Sequence, residues 1–204
     1  MRILLLALLT SLTTQILLMP SQMAHFAGDV DVYTDVTVET FSLWIRKGSA
    51  GHFMWGFQEA SEAADGFMTV LTNGTMLTMS CAFNTTDGEA ACQRDGTWIQ
   101  QGTNLYPDGS FEVYITRDMR LYFGTPIYSI VNRIAYSIGS NPDPALIKYG
   151  GEVSGAMVYN LTANTPIYAD LASLDESQRG VVMNGISIWR FFGGFAAVSF
   201  LLFF

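Results

Sequence analysis

Hydrophobic and polar residues alternate along much of this chain, so the dominant period of the hydrophobic pattern is two residues rather than 3.6. Two segments show the alternation most clearly, with apolar side chains at Phe41, Leu43 and Ile45 in one and at Phe111, Val113 and Ile115 in the other. A period of two is typical of a β-strand that has one buried and one exposed face. We therefore predict a strand at each segment, with these apolar residues on the buried face.

Other apolar runs are rich in β-branched and aromatic residues, which favours strands over helices. They predict strands at residues 53–57, 67–71, 76–83, 97–101, 120–123, 127–138 and 153–161. Turn-forming pairs stand between several of them, at Asp108-Gly109, Asp118-Met119 and Asn141-Pro142. About ten short strands in one unit favour an all-β fold. We expect a two-sheet antiparallel immunoglobulin-like sandwich over residues 25–172.

The amino terminus has the pattern of a secretory signal peptide. Met1 and Arg2 form a short positive region, and residues 3–19 are mostly apolar before a polar segment that starts at Pro20. This pattern predicts a signal helix and a signal peptide over residues 1–24, with Ala24 or Ala27 as candidate residues before the cleavage point. The alternative is an uncleaved anchor, but the apolar stretch is shorter than the ~20 residues of a spanning helix.

The carboxyl terminus is hydrophobic from residue 186 to residue 204, apart from Ser187, Arg190 and Ser199. We predict a hydrophobic helix there, joined to the sandwich by a linker over residues 173–185. The segment ends at Phe204 without a basic cytosolic flank, which favours a glycosylphosphatidylinositol signal over a retained single span. Both ends together predict a protein of the secretory pathway that is held at the cell surface.

The charge of the chain narrows the class of partner. Lys and Arg total 10 against 18 acidic residues, which gives a formal net charge of −8. Only Arg46 and Lys47 are adjacent among the basic residues of the predicted domain. Nucleic-acid binding depends on clustered basic side chains, so we expect no nucleic-acid partner.

Two kinds of motif agree with an extracellular location. Glycosylation sequons begin at Asn73, Asn84 and Asn160, and the Asn73-Gly74 pair also has the sequence of a tight hairpin turn. Cys81 and Cys92 are the two cysteines of the chain. In an oxidising compartment we expect them to form a short-range disulfide, and two thiols without a nearby histidine make a metal site improbable.

A family resemblance lies in residues 53–57, Phe-Met-Trp-Gly-Phe, followed by residues 64–70, Ala-Asp-Gly-Phe-Met-Thr-Val. Arg94-Asp95, residues 136–139 and a strand from Gly155 to Leu161 follow in the same order. Over about residues 29–163 the chain resembles the DOMON domain, an extracellular immunoglobulin-like sandwich. The resemblance implies a binding or redox domain outside the cell.

Haem-binding DOMON domains carry a Met just before the Ala-Asp pair and a His near the penultimate strand, which ligate the iron from opposite faces. Here Ser61 stands where the Met is expected, and residues 148–151 contain no His. We therefore expect no haem and no other cofactor. Nucleophilic catalysis has no candidate residue, because the sequence contains no Gly-x-Ser-x-Gly motif and the expected disulfide leaves no free thiol. A non-enzymatic role is therefore favoured.

The function that fits these features is a membrane-anchored extracellular module that binds a ligand or partner. We expect a small apolar or carbohydrate ligand next to the segment 55–65, with contacts from Trp55, Phe57, Glu62 and Asp65. Trp44, Trp55 and Trp98 are also candidates for a sugar-stacking platform, with core packing as the alternative. Two rival functions stay open: a structural coat or adhesion glycoprotein, and a disfavoured haem-binding redox module.

Overall fold

The computed structural model describes residues 17–59, 63–121, 125–168 and 171–183. In these residues the strands are β1 (Ala24–Ala27), β2 (Val30–Val36), β3 (Thr40–Lys47), β4 (His52–Gln58), β5 (Ala63–Thr72), β6 (Thr75–Asn84), β7 (Ala90–Gln93), β8 (Ile99–Leu105), β9 (Phe111–Asp118), β10 (Val131–Gly139), β11 (Val153–Asn160) and β12 (Thr165–Ile167). Sheet A has the order β1-β2-β3-β9-β8, and sheet B has the order β12-β11-β10-β4-β5-β6-β7. All strand pairs in both sheets are antiparallel. The predicted two-sheet antiparallel sandwich is confirmed.

The main core lies between the two sheets. The apolar residues that alternate in β3 and β9 all have 0% exposure, which confirms the buried face predicted from the period of two. Sheet B contributes large aromatic side chains, among them Trp55, Phe57 and Tyr159. Phe26 of the edge strand β1 reaches the same core, with its ring centroid 4.9 Å from that of Trp55. The sandwich therefore includes β1 in its hydrophobic interior.

A second apolar cluster covers the outer face of sheet B. Met54, Met68 and Met79 lie side by side on β4, β5 and β6 because the register pairs them directly. Phe83 lies close above Gly56, where a Cβ would stand 2.6 Å from the ring, and Tyr149 stacks on Phe83 with centroids 5.4 Å apart. The segment between β10 and β11 therefore folds back over this face and buries it.

Two of the strands predicted from the sequence differ from the structure. Residues 120 and 121 belong to a short 3₁₀ helix, Met119–Leu121, and not to a strand. Asp118 accepts a hydrogen bond from the backbone N–H of Arg120, and this local bond favours a turn over strand pairing. Residues 127–130 precede β10 and contribute only an isolated bridge between Tyr128 and Val182. Four further strands had not been predicted: β1, β2, β7 and β12.

Both predicted terminal helices fall largely outside the described residues, at 1–16 and 184–204. Residues 17–23 have no helix, and Ala24 begins β1. Most of the predicted linker is described, and it packs on the sandwich: Met183 is buried, and the Arg179 guanidinium lies 3.6 Å from the ring centroid of Tyr128. Across the described part of the chain, no helix has the length and apolar character needed to cross a bilayer.

Candidate functional site

Two of the predicted ligand-binding residues lie inside the sandwich. Trp55 and Phe57 point from β4 into the main core, with 0% and 1% exposure. Their rings contact Phe26, Phe41 and Tyr159. The alternative that the sequence left open, core packing, is therefore what the structure shows for Trp55, and we do not include either residue in the candidate site.

The other two predicted residues lie near the edge of sheet B or beyond the described part. Asp65 is half-buried on β5, directly opposite Phe57 in the register, so its side chain is on the inner face near the rim. Glu62 lies outside the described residues. Of these two predicted residues, Asp65 is therefore the one whose position relative to a cleft is described.

A lateral cleft opens where sheet B extends beyond sheet A. Sheet B has two more strands than sheet A, and the inner faces of β6 and β7 are half-buried or exposed past the edge strand β8. The cleft has two adjoining lobes of about 450 Å³ and about 380 Å³. Ser80 and Asp95 line both lobes, and Asp65 lines the second. We call this feature the lateral cleft.

Short polar side chains form the floor of the first lobe. Thr78 and Ser80 project from β6 on the same face as the core residue Phe67, because Ser80 pairs with Phe67 in the register. Thr78 donates a hydrogen bond to the side-chain carbonyl of Gln100 on β8, at 3.0 Å. This bond joins the two sheets across the lobe and closes its inner end.

Asp95 is the most strongly perturbed carboxylate of the cleft. Burial raises its pKa, but hydrogen bonds from Ser80, from Thr97 and from Gln93 outweigh that effect and lower the pKa to about 2. The backbone N–H of Thr97 is 2.9 Å from the carboxylate. Asp95 is therefore an anion at physiological pH, so it serves as an acceptor and not as an acid catalyst.

An aromatic wall stands beside these polar groups. Trp98 is 4% exposed and lines the first lobe, and its Nε1–H has no hydrogen-bond partner among the described residues. Its ring packs against Phe41 and Phe67, and the guanidinium of Arg117 lies 4.7 Å from its centroid. A buried donor without a partner is uncommon in native proteins.

The predicted disulfide is present. Cys81 and Cys92 are direct cross-strand partners on β6 and β7, with Cα atoms 4.1 Å apart. Both residues line the second lobe of the cleft. The bond therefore ties the edge strand β7 to the sheet.

The three sequons differ in their surroundings. Asn73 lies at the exposed turn between β5 and β6 with a φ of 49°, which agrees with the turn predicted from Asn73-Gly74. Asn84 is half-buried, and its side-chain nitrogen donates to Asp87 at 3.1 Å. Asn160 is also half-buried, and its side-chain oxygen accepts from the backbone of Thr162 and Ala163. Asn73 has the most accessible side chain of the three.

Of the two positions named for haem ligation, only the second lies among the described residues. Ser61 lies outside the described residues, and Tyr149 of the second position stacks on Phe83. Within residues 17–59, 63–121, 125–168 and 171–183, no group of three His, Cys, Asp or Glu side chains could hold an ion. His52 is 3% exposed at the start of β4.

We compared the chain with protein-family models, with curated proteins and with solved structures. None of them matches. Among the described residues that line the cleft there is no histidine, and the hydroxyl of Ser80 donates to the carboxylate of Asp95.

Most residues of the cleft were not predicted from the sequence. Arg94-Asp95 is part of the family resemblance. The hydrogen bond from the Thr97 N–H to Asp95 closes a local turn, which the Asp-Gly-Thr sequence favours. Thr78, Ser80 and Gln100 had no such signal. Their grouping depends on which strands become neighbours and on where sheet A ends.

Proposed function

We propose that this protein is a non-enzymatic, surface-anchored extracellular binding module whose lateral cleft takes a carbohydrate-type ligand. The observation that carries the proposal is the cleft itself, in which hydroxyl, amide and carboxylate groups stand beside the ring of Trp98. Hydroxyl-rich ligands match such groups, because each sugar hydroxyl both donates and accepts hydrogen bonds.

Secretion and anchoring belong to the same proposal. The disulfide between Cys81 and Cys92 supports an oxidising compartment. The accessible sequon at Asn73 and the hydrophobic segments at 1–24 and 186–204 support passage through the secretory pathway and attachment to a membrane. Location at the cell surface would bring the cleft to glycans of the cell's surroundings.

We also propose that the sandwich is immunoglobulin-like and related to the DOMON domain. Residues 53–57 and 64–70, on which the resemblance rests, lie in the adjacent central strands β4 and β5. Haem has no part in the proposed function, and an absorption spectrum of the purified protein tests this directly. A Soret band would favour the redox alternative.

A glycan array probed with the full-length protein, purified from cells with a secretory pathway, tests the ligand. We expect binding to a defined set of glycans that falls at least tenfold in Asp95→Asn, because the carboxylate that orients Ser80, Thr97 and Gln93 is lost. Asp143→Asn is the matched control, since Asp143 also accepts a backbone N–H in a loop, at 3.0 Å, but lies outside the cleft.

Two outcomes would contradict the proposal: no glycan is bound, or Asp95→Asn binds as the wild type does. The rival structural function predicts a different result. A coat or adhesion glycoprotein would aggregate beads that carry it, with no response to glycans and no effect of Asp95→Asn.

A further inference from the structure

The outer face of sheet A carries a row of aromatic side chains. The register aligns Tyr33 of β2, Trp44 of β3 and Tyr114 of β9, and the row ends at Gly102 of β8. The rings of Trp44 and Tyr114 are stacked with centroids 4.2 Å apart, and Tyr33 meets Trp44 edge-on at 5.6 Å. All three aromatic residues are half-buried although they lie outside the sandwich core.

A hydrogen-bond network beside this row holds Asn104. The carboxylate of Glu112 accepts from the side-chain amide of Asn104 at 2.8 Å, from Arg46 at 2.9 Å and from the hydroxyl of Tyr106 at 2.9 Å. Burial raises the pKa of Glu112, but these hydrogen bonds outweigh it and hold the pKa below its ordinary value. Glu112 therefore stays an acceptor and orients the Asn104 amide.

The oriented amide binds the main chain of another segment. The backbone N–H of Leu17 donates to Oδ1 of Asn104 at 3.1 Å, and Nδ2 of Asn104 donates to the carbonyl of Leu17 at 2.9 Å. A primary amide that bonds both groups of one residue takes the place of a neighbouring strand. The Leu17 side chain lies over Gly102, 3.3 Å from where a Cβ would stand.

Residues 18–23 connect opposite edges of sheet A. Leu17 lies over β8, at one edge of sheet A, and Ala24 pairs with Val32 in β1, at the opposite edge. Four spacings between strands amount to ~19 Å, while seven residues reach at most ~25 Å. The half-buried side chains of Met19, Pro20 and Met23 agree with the direct path.

We propose that this face is a peptide-binding groove for an extended, apolar segment of a partner protein, and that residues 17–23 fill it until the leader is cut at Ala24. The inference rests on the proposed secretion of the protein. The cut would uncover the aromatic row and the Asn104 amide. A cavity of about 610 Å³ beside Arg46, Tyr106 and Glu112 extends the groove.

The position of β1 favours Ala24 over Ala27 as the residue before the cut. Phe26 is 5% exposed in the main core and contacts Phe53, Trp55, Tyr136 and Tyr159. A cut after Ala27 would remove this ring and the edge strand. A cut after Ala24 keeps Phe26 and removes the segment that lies on the outer face together with Ala24, the first residue of β1.

The test uses the full-length gene product expressed in cells with a secretory pathway. Intact mass gives the first residue, which we expect to be His25. A fluorescein-labelled peptide with the sequence of residues 17–24, LLMPSQMA, is then titrated with the purified protein and followed by anisotropy. We expect saturable binding that Asn104→Ala weakens at least tenfold, because two hydrogen bonds to the peptide backbone are lost.

Two controls accompany the titration. A scrambled peptide reports on non-specific apolar binding. Asn141→Ala removes the same amide from a loop beside sheet B, where Asn141 accepts the N–H of Asp143 at 3.0 Å, and it should bind the peptide as the wild type does.

Three results would overturn the groove: a mature chain that still contains residues 17–23, a chain starting at His25 that does not bind the peptide, or binding that Asn104→Ala leaves unchanged. The glycan array on the same preparation reports separately on the lateral cleft through Asp95→Asn. Full-length protein that stays in the cytosol with its leader would overturn both proposals.

Discussion

The ammonium group of Lys47 lies 3.0 Å and 3.1 Å from the two carboxylate oxygens of Asp29. Lys47 is only 1% exposed, because it ends β3 on the inner face, where its register partners are Val30 and Phe111. Ser49 supplies a further contact to the ammonium at 2.8 Å. A buried charge in a β-sandwich is thus compensated by a partner at the surface.

Asp29→Asn should destabilise the protein, because a buried ammonium loses its counter-charge. Removing one partner of a fully buried pair costs about 3–5 kcal/mol, and the partial exposure of Asp29 reduces our expectation to about 1–3 kcal/mol. Urea unfolding at pH 7 measures the change. Asp35→Asn, at an exposed position of β2, is the control and should stay within about 0.5 kcal/mol of wild type. Equal losses in both variants would contradict the prediction.

His52 should make stability fall in mild acid. Burial lowers its pKa, and Lys47 adds to this, although the backbone carbonyl of Asn141 and the charge of Glu152 act in the opposite direction. The unfolded chain therefore binds more protons than the folded chain as pH falls through the unfolded pKa of about 6.5, so the free energy of unfolding decreases there.

Urea midpoints at pH 7.5 and pH 5 test this expectation. The wild type should lose stability between the two values, and His52→Gln should lose less, since the variant cannot take up that proton on unfolding. The window lies above the pH at which Asp95, with a pKa of about 2, is protonated. An identical pH dependence in both proteins would exclude His52 as the cause.

The disulfide should stabilise the fold by lowering the conformational entropy of the unfolded chain. Cys81 and Cys92 are separated by 11 positions, and closing a loop of this size contributes about 2–3 kcal/mol on the chain-entropy model. The double variant Cys81→Ala, Cys92→Ala should therefore unfold at lower urea concentration. Dithiothreitol should shift the wild type toward the variant and leave the variant unchanged. A wild type that dithiothreitol does not affect would show that β7 is held by other contacts.

Asn73 should be the most fully glycosylated of the three sequons. Its side chain lies at an exposed turn, whereas Asn84 and Asn160 are half-buried and hydrogen-bonded near strand ends. Mass spectrometry of glycopeptides from secretory cells measures occupancy at each site. Asn73→Gln should remove the largest share of endoglycosidase-sensitive mass, with Asn84→Gln and Asn160→Gln as comparisons. The prediction is contradicted if Asn73 carries no glycan while Asn84 and Asn160 are glycosylated.

The buried faces of the strands could be predicted from the sequence because the signal is local. The hydrophobic period of two predicts the strand that contains Phe41, Leu43 and Ile45. The pair Asn73-Gly74 predicts a turn because both residues readily adopt positive φ. The disulfide was also predictable, since the cysteines lie close together in the chain. Short or polar strands such as β7 carry too few apolar positions for that pattern to appear.

The candidate functional residues could not be grouped from the sequence, because their positions depend on contacts between residues that are far apart in the chain. Trp55 and Trp98 look equally suited to a ligand in the sequence, yet the ring of Trp55 is fully buried in the core, whereas Trp98 is 4% exposed where it lines the lateral cleft. Trp44 lies on the outer face of sheet A. The sequence determined the all-β class, the turn at Asn73 and the pairing of the cysteines, because each depends on neighbouring residues. Only the tertiary structure decided that Ser80 and Asp95 share a cleft and that Leu17 contacts Asn104. The cleft depends on sheet B extending beyond sheet A, and the Leu17 contact joins residues 87 positions apart in the chain.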